Sequence, residues 1–305
     1  MDPRKIAIVA AVAVTAGLAG CSADHRGRAA SAAQVPSTLL PAPAPTTTTT
    51  TAETTTTSTS TTTTVAPTST TRAGAGAVTS APTTRALPPT TTAPCPSNLA
   101  SQLASTGSAR QLITVTAAGW GTSAATVELW QRSGGCWTAV AGPWSGFIGE
   151  NGFTNQKVEG DGRTPTGLYG LGPVMYGNAA NPGTREPYHV LQCGDWWDED
   201  PNSPQYNTFQ AVGCDGGQPR QTFGGGSEAL WQETAPYPSF AVIDYNTGPI
   251  IKGAGSGIFF HAATGGPTVG CVSVPLADLD LALRWLDPSQ APAFVMGPAD
   301  EITRF

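Results

Sequence analysis

The chain has 305 residues, of which 12% are charged, and its formal net charge is −6. This balance excludes a basic face for nucleic acid and a polybasic patch for a membrane surface, so no nucleic-acid partner is expected. The glycines and prolines outside the N-terminal third predict long, shaped loops, which commonly carry substrate contacts.

The first 20 residues have the pattern of an export signal. Two basic residues precede an uncharged run from 6 to 20, which is short for a transmembrane helix and ends in small residues. The letters LAGC at 18–21 resemble a bacterial lipobox, in which the cysteine is lipidated. Lipidation of Cys21 would anchor the exported protein to the outer face of the cytoplasmic membrane, facing the cell wall. A plain secretory signal with a chance cysteine is the alternative.

Residues 21–94 are dominated by Thr, Ala, Pro and Ser, with unbroken threonine runs at 46–51 and 61–64. Such a segment buries too little apolar surface to offset the entropy of ordering it. The composition predicts a disordered stalk that spans ~200 Å when extended or ~50 Å as a flexible coil. Either length suits a tether that holds a domain within a cell wall.

Residues 95–305 are predicted to form one mostly β domain. Short segments rich in β-branched and aromatic residues alternate with clusters of Gly, Pro, Asn and Ser, which favours antiparallel strands over helices. The predicted strands are 112–116, 127–132, 240–245, 257–261 and 293–297.

Few helices are predicted in this domain. The stronger one covers 275–286, where Pro275 suits the first turn and Asp287 with Pro288 ends the helix. Its leucines at 276, 279, 283 and 286 form one apolar stripe. A second, short helix is predicted within 97–104.

Six cysteines are present, and lipidation of Cys21 leaves an odd number. In an oxidising compartment, four of the remaining cysteines are expected to form two disulfides, for which several connectivities exist. Cys271 is the expected free thiol, and the alternative is that Cys271 is bonded and another cysteine is odd. The favoured pairs, which would pin the start of the domain and close a Trp/Asp-rich loop, are Cys95 with Cys136 and Cys193 with Cys214.

No metal ion or other cofactor is expected. No cysteine pair has the C-x-x-C spacing of a zinc site, and one of the three histidines, His25, falls in the predicted stalk. The acidic run 198–202 begins like a calcium loop, but Ser203 replaces the required glycine and Phe209 replaces the bidentate acid.

The segment 257–275 carries a candidate nucleophile. It places His261 at the end of an apolar run and Cys271 in a turn rich in Gly, Pro and Thr further on. A cysteine attacks as its thiolate, and a thiol with a pKa near ~8.5 gains thiolate when an imidazolium pairs with it. His261 is the predicted base, oriented by the backbone carbonyl of Ala262 or Gly270. The predicted activity is cysteine-dependent acyl transfer.

Two further features of this segment bear on the chemistry. Gly270 allows a tight turn at the nucleophile, and the amide of Cys271 is predicted to face the developing oxyanion, a contact worth about 3 kcal/mol. His189 is the other candidate base in the domain and is interpreted as structural. The alternative for His261 is an ordinary half-buried histidine at the end of a strand.

Several stretches also occur in an order typical of one enzyme family. They are GDGRTPTG at 160–167, WDEDPNS at 197–203 with YN at 206–207, VIDYN at 242–246, GAGSGIFFH at 253–261 and PTVGCV at 267–272. Together they resemble a divergent branch of the L,D-transpeptidase catalytic domain (YkuD, or ErfK/YbiS-type) of bacterial cell-wall enzymes. The resemblance covers roughly 142–305 and is more specific than a lone Gly-Cys.

The resemblance implies a β-sandwich-like domain and a cysteine that attacks the peptide bond after the third residue of a peptidoglycan tetrapeptide stem. The terminal D-Ala leaves, and the acyl group passes to the amine of a neighbouring stem, which forms a 3→3 cross-link. Some members transfer it to other amines or to water. A hydrolase on the same bond is therefore one alternative, and a non-catalytic wall-binding lipoprotein is another. The expected partners are stem peptides, and the protein is expected to be a monomer.

Residue by residue, Cys271 matches the family's nucleophile and His261 matches its base. Gly270 matches the glycine before the cysteine, and Thr268 matches the Ser/Thr three positions before it. The separation between His261 and Cys271 is shorter than is usual in the family.

Two more positions depart from the common pattern: Val269 stands where many members have histidine, and Ser273 where many have arginine. The predicted substrate contacts are Thr268, Ser273, Trp197 and Asp198. For the segment around Trp197 and Asp198, a solvated loop closed by a disulfide is an equally good interpretation.

Overall fold

The computed structural model describes residues 94–305. The predicted export signal at 1–20, the lipidation of Cys21 and the stalk up to residue 93 lie outside the described residues and stay predictions. Within 94–305, no helix combines the length and the apolar character needed to cross a bilayer.

The described chain is mostly β with few helices, which confirms the predicted fold class. Strands β1 to β8 are Gln111–Ala117, Ala124–Ser133, Cys136–Phe147, Phe153–Thr154, Thr164–Pro165, Gly167–Gly177, Tyr188–Val190 and Asp195–Asp198. Strands β9 to β16 are Thr208–Ala211, Cys214–Asp215, Gln218–Pro219, Glu228–Ala229, Phe240–Ile243, Phe259–Ala262, Val272–Val274 and Ala293–Pro298. The α-helices are α1, Leu99–Gln102, and α2, Leu276–Trp285, and single 3-10 turns occur at Pro288–Gln290 and Ile302–Arg304.

One large sheet organises the domain, in the strand order β13-β14-β15-β3-β2-β1-β16-β6-β7. Most neighbours are antiparallel, whereas β1 with β16, β14 with β15 and β6 with β7 are parallel. Strand β6 is long enough to pair with β16 along its first half and with β13 along its second half. The sheet therefore folds back on itself and encloses an apolar interior.

Helix α2 covers one side of the sheet, packing on β13, β14 and β15. Its Leu279 and Leu283 are fully buried in the main apolar core, together with Phe260 and Val272 of the strands beneath. The predicted stripe is wrong at Leu276, which is 44% exposed because it lies in the first turn, beyond the edge of the contact.

Both favoured disulfides are present. Cys95 bonds to Cys136 and ties the chain before α1 to the start of β3. Cys193 bonds to Cys214 within the segment between β7 and β13. Cys271 is the free cysteine of the described residues, and it is buried.

Residues 191–239, between β7 and β13, form a structure that we call the insert. It contains a three-stranded sheet of β12, β8 and β9 and the short hairpin of β10 and β11. Trp197 of the insert packs edge-on against Phe259 of β14, with ring centroids 5.0 Å apart. The insert thus lies on the side of β14 and β15 opposite α2.

Candidate active site

The parallel pairing of β14 and β15 places His261 and Cys271 on one face of the sheet. Phe260 lies opposite Val272, and His261 lies opposite Ser273. Because side chains alternate along a strand, His261 and Cys271 both point away from α2, toward the insert. Strand pairing therefore brings the predicted base and nucleophile to the same side.

The turn before Cys271 is held by hydroxyl groups. Thr268 Oγ1 donates to the carbonyl of Cys271 (2.6 Å) and accepts from the amide of Gly270 (3.2 Å). Thr164 Oγ1 donates to the carbonyl of Gly270 (2.7 Å). A side chain at Gly270 would bring a Cβ within 3.0 Å of the carbonyl oxygen of Arg163. The stretch 160–167 thus holds the turn before Cys271 in place. Glycine is required at 270 because the chain there packs closely against Arg163.

The thiol of Cys271 is held at the floor of a cleft. Its Sγ lies 3.3 Å from the amide nitrogen of Phe259, which donates to it, and 3.1 Å from the carbonyl of Gly257, to which it donates. Gly257 has a φ of +58°, and a Cβ there would collide with the carboxylate of Glu199. The backbone at 257 therefore lies between the thiol of Cys271 and Glu199 of the insert, and only glycine leaves room for it there.

His261 is oriented by its own strand. Its Nδ1 lies 2.9 Å from the carbonyl oxygen of Ala262, one of the two acceptors predicted from sequence. Since a carbonyl only accepts, Nδ1 carries the proton, and the lone pair of the neutral ring is on Nε2. Within the described residues Nε2 has no protein partner, and no hydrogen bond joins His261 to Cys271. Contacts of this kind commonly form only when substrate binds.

The electrostatics of the pair differ from the imidazolium and thiolate expected from sequence. Burial lowers the pKa of His261 to about 4, although its bond to Ala262 acts in the opposite direction. Burial also raises the pKa of Cys271 well above its usual value, and the carboxylate of Glu228 adds to this effect. At neutral pH the resting site therefore holds a neutral imidazole and a neutral thiol, because neither charge is solvated.

A cleft of about 500 Å³ opens above these two residues. Of the residues predicted from sequence, Thr268, Gly270, Cys271 and His261 line it. The charged residues on the wall of the cleft are one lysine, Lys157, and the glutamates Glu159, Glu199, Glu228 and Glu233.

The charges of the cleft are not mutually neutralised. Lys157 forms an ion pair with Asp161, in which Nζ and Oδ1 are 2.6 Å apart. Burial raises the pKa of Glu199 well above its usual value, and Glu228 and Glu159 push it in the same direction. Burial likewise raises the pKa of Glu228 to about 7, against a smaller, opposite effect of its hydrogen bond from Tyr237. The carboxyl groups of Glu199 and Glu228 therefore keep their protons to a higher pH than ordinary glutamates do.

Three predicted substrate contacts do not line this cleft. Trp197 is buried, and its Nε1 donates to Asn207 Oδ1 (2.9 Å). Asp198 is fully buried and accepts from the amide of Asp200 (3.0 Å). Ser273 is 1% exposed, and its hydroxyl has no partner within the described residues. Trp197 and Asp198 instead support the wall of the cleft, to which the next residue, Glu199, contributes directly.

His189 lies elsewhere. Its Nε2 is 2.7 Å from Asp195 Oδ2, and its ring packs edge-on against Phe209. His189 does not line the cleft. This placement agrees with the structural interpretation of His189.

The segment around Trp197 and Asp198, which was predicted to contact substrate, includes Glu199, but sequence reasoning missed Glu228 and Tyr237. Glu199, Glu228 and Tyr237 reach the cleft from three separate parts of the insert. Pairing of β12 with β8, which sets Glu228 opposite Trp197, brings two of these parts together. No local signal marks such residues, because single acids in glycine-rich segments look like ordinary surface residues.

The stretch that contains both candidate residues also matches a known family. The family model of the L,D-transpeptidase catalytic domain, YkuD, matches residues 121–295. The chain belongs to this family. Comparison with curated proteins and with solved structures gave no match.

The match of this L,D-transpeptidase domain runs from just before β2 into β16, so it includes the insert, the cleft and the large sheet except β1 and the end of β16. Family membership supports L,D-transpeptidase-type activity on peptidoglycan.

Proposed function

We propose that this L,D-transpeptidase domain transfers the acyl group of a peptidoglycan tetrapeptide stem through a thioester on Cys271. The observation that carries the proposal is the position of Cys271. It is the free cysteine of residues 94–305, it lines the cleft, and it shares a sheet face with His261. A free thiol that lines the same cleft as a neutral imidazole fits nucleophilic acyl transfer.

Acylation begins with attack of Cys271 Sγ on the carbonyl carbon after the third residue of the stem. His261 Nε2 accepts the thiol proton during the attack, because the imidazole is neutral at rest. The amide of Cys271, which has no hydrogen-bond partner in residues 94–305, is free to donate to the oxyanion. When the C–N bond breaks, the imidazolium returns the proton to the amine of the leaving D-Ala, and a thioester remains.

Deacylation uses an amine as the acceptor. The side-chain amine of a neighbouring stem attacks the thioester, a new amide bond forms, and the thiol of Cys271 is regenerated. The glutamates on the wall of the cleft support this assignment over hydrolysis, because a carboxylate there can pair with the arriving ammonium group and accept the proton that it loses before the neutral amine attacks. The product is a 3→3 cross-link.

We also propose, on the basis of the N-terminal sequence, that the reaction takes place outside the cytoplasmic membrane. An export signal with a lipidated Cys21 and a long stalk would hold the domain outside the cytoplasmic membrane, within reach of the wall. Labelling of cells with a fatty-acid probe tests this assignment. The Cys21→Ala protein should lose the label and leave the membrane fraction.

Incubation of the purified protein with disaccharide-tetrapeptide tests the reaction. Mass spectrometry should detect released D-Ala and a dimer linked between third residues, and Cys271→Ala should form neither. Tripeptide without dimer would identify water as the acceptor and a hydrolase instead. Turnover that is unchanged in Cys271→Ala would rule out the thioester route, and binding to sacculi without turnover would favour a wall-binding lipoprotein.

A further inference from the structure

Tyr237 of the insert contacts the imidazole of His261. The two rings meet edge-on, with centroids 5.5 Å apart and planes at 88°. Tyr237 is 4% exposed, and its ring is also packed against Phe240 and Phe259, with centroids 4.8 and 5.8 Å away. The ring is thus fixed on several sides, and His261 is one of its neighbours.

The hydroxyl of Tyr237 is held as well. It donates a hydrogen bond to the carboxylate of Glu228, at the wall of the cleft. Burial raises the pKa of the Tyr237 hydroxyl well above its usual value, so this group stays a donor. Glu228 in turn is placed by the pairing of β12 with β8. The position of the phenol ring therefore depends on a carboxylate from a different part of the insert.

The backbone beside Tyr237 is hydrogen-bonded to the end of β14, the strand that carries His261. The carbonyl of Pro236 accepts from the amide of Ala262 (3.1 Å), the residue whose own carbonyl holds His261 Nδ1. A single hydrogen bond at Nδ1 does not hold the plane of the imidazole, and a tilted ring weakens that bond. The edge of the Tyr237 ring restricts this tilt, and aromatic pairs of this geometry contribute about 1 kcal/mol.

We propose that Tyr237, held by Glu228, is a positioning residue for the reaction of Cys271: it fixes the plane of the His261 imidazole and keeps Nε2 turned to the thiol. This inference rests on the proposed function in so far as turnover is measured, but it also makes a claim about the ring of His261 that needs no turnover. The insert would then be part of the catalytic apparatus rather than only a wall of the cleft.

Four variants of the full chain separate the effect of the hydrogen bond between Tyr237 and Glu228 from other effects of the substitutions. Tyr237→Phe removes the hydroxyl and keeps the ring, and Glu228→Leu removes the acceptor. Glu228→Gln keeps an oxygen that accepts the hydrogen bond. Tyr169→Phe is the matched control, because it deletes a 2.6 Å hydrogen bond from a tyrosine hydroxyl to Thr166 without touching His261.

For D-Ala release, Tyr237→Phe and Glu228→Leu should each lower kcat on the order of tenfold with KM within about twofold, because misplacement of a reacting group reduces the rate of the chemical step. The double variant should lose little more than either single variant, since both break one bond. Tyr169→Phe should retain at least about half of the wild-type kcat. Glu228→Gln also removes a charge near Cys271, so its effect is read from the position of the His261 ring and not from kcat.

Nitrogen NMR of the labelled histidine rings provides the second readout. Wild type should show His261 as a single Nδ1–H tautomer, assigned by its loss in His261→Gln, with His189 as an internal reference. Tyr237→Phe and Glu228→Leu should mix the tautomers of His261 and leave the His189 signals in place. Glu228→Gln should leave both unchanged.

An unchanged His261 tautomer in both Tyr237→Phe and Glu228→Leu would overturn the proposal, whatever happens to kcat. A wild-type kcat in Tyr237→Phe would overturn it as well. If the wild type lacks turnover on tetrapeptide, the proposed function fails, and the NMR result alone decides whether Tyr237 positions His261.

Discussion

The hydroxyl of Thr164 donates a 2.7 Å hydrogen bond to the carbonyl of Gly270, although 106 positions separate the two residues in the chain. The same hydroxyl accepts from the amide of Gly149 (2.9 Å). Thr164 therefore joins three segments at one fully buried point, directly beneath the turn that presents Cys271. This contact gives the conspicuous stretch 160–167 a physical role: it holds the nucleophile's turn from behind.

Replacement of Thr164 by valine should destabilise the protein by about 1–3 kcal/mol, because the carbonyl of Gly270 and the amide of Gly149 both lose a buried partner. Urea denaturation measures this loss, and the rate of D-Ala release should fall with it. Thr166→Val is the matched control, since the buried hydroxyl of Thr166 has no partner within residues 94–305 and its removal should cost little or nothing. Equal effects of the two substitutions would contradict the role of Thr164.

Gly257→Ala adds a single methyl group but should reduce both the stability of the protein and the order of the active site. The residue has a φ of +58°, and its Cα faces the carboxylate of Glu199, so a methyl group adds both strain and collision. A loss of more than ~1 kcal/mol of unfolding free energy is expected. The bond from Cys271 to the carbonyl of Gly257 should also be disturbed, which alkylation of Cys271 by iodoacetamide would report.

The control for this substitution is Gly266→Ala, in the loop before Cys271. A Cβ at Gly266 meets no atom within 4 Å, and its backbone is outside the left-handed region. This variant should keep the stability and the alkylation rate of the wild type. A Gly257→Ala protein that behaves like Gly266→Ala would show that the close approach of Glu199 is relieved at no cost.

Sequence patterns predicted the strands that are short runs rich in β-branched and aromatic residues. All five predicted strands are present as β1, β2, β13, β14 and β16, with ends that move by a few residues. Strands β3 and β6 were not predicted, because glycine and proline interrupt both. The glycines are required by tertiary contacts: a Cβ at Gly146 of β3 would collide with the carbonyl oxygen of Ser273. A local rule reads such positions as turns.

Some residues of the candidate site could be predicted from the sequence, and others could not. Cys271 and His261 share one short segment, so their pairing was visible in the sequence, as was the carbonyl of Ala262 as a partner for the imidazole. Glu228 and Tyr237 reach the cleft only through the pairing of strands in the insert. The protonation states were also not predictable, because burial decides them and burial is a property of the folded chain.

The pH dependence of stability should carry the signature of a buried neutral histidine. The pKa of His261 is about 4 in the folded chain and 6.5 as its ordinary value, so the unfolded chain binds more protons between these limits. Stability is then lost as the pH falls from 6.5 toward 4. His261→Gln removes this contribution, so the unfolding free energy of wild type relative to the variant should drop by on the order of 2–3 kcal/mol from pH 7.5 to pH 4.5.

Urea denaturation of both proteins at the two pH values measures this difference directly. Glu228 acts in the opposite sense, because its pKa of about 7 lies above the ordinary 4.5 and its contribution is lost as the pH rises. That term is common to wild type and His261→Gln, so it cancels in the comparison. A difference that stays constant with pH would mean that His261 is not buried as a neutral ring.

The reactivity of Cys271 should depend on Glu228 through charge. Burial is the main cause of the raised pKa of Cys271, and the carboxylate of Glu228 is the next. Glu228→Gln removes the negative charge and should shift the pH profile of iodoacetamide alkylation to lower pH, with faster alkylation at pH 8. Glu233→Gln is the matched control, because Glu233 also lines the cleft but is not among the groups that raise the pKa of Cys271. If both variants shift the profile equally, the effect belongs to the net charge of the cleft. If neither does, burial alone sets the pKa of the thiol, and the carboxylate of Glu228 is too well screened to act on it.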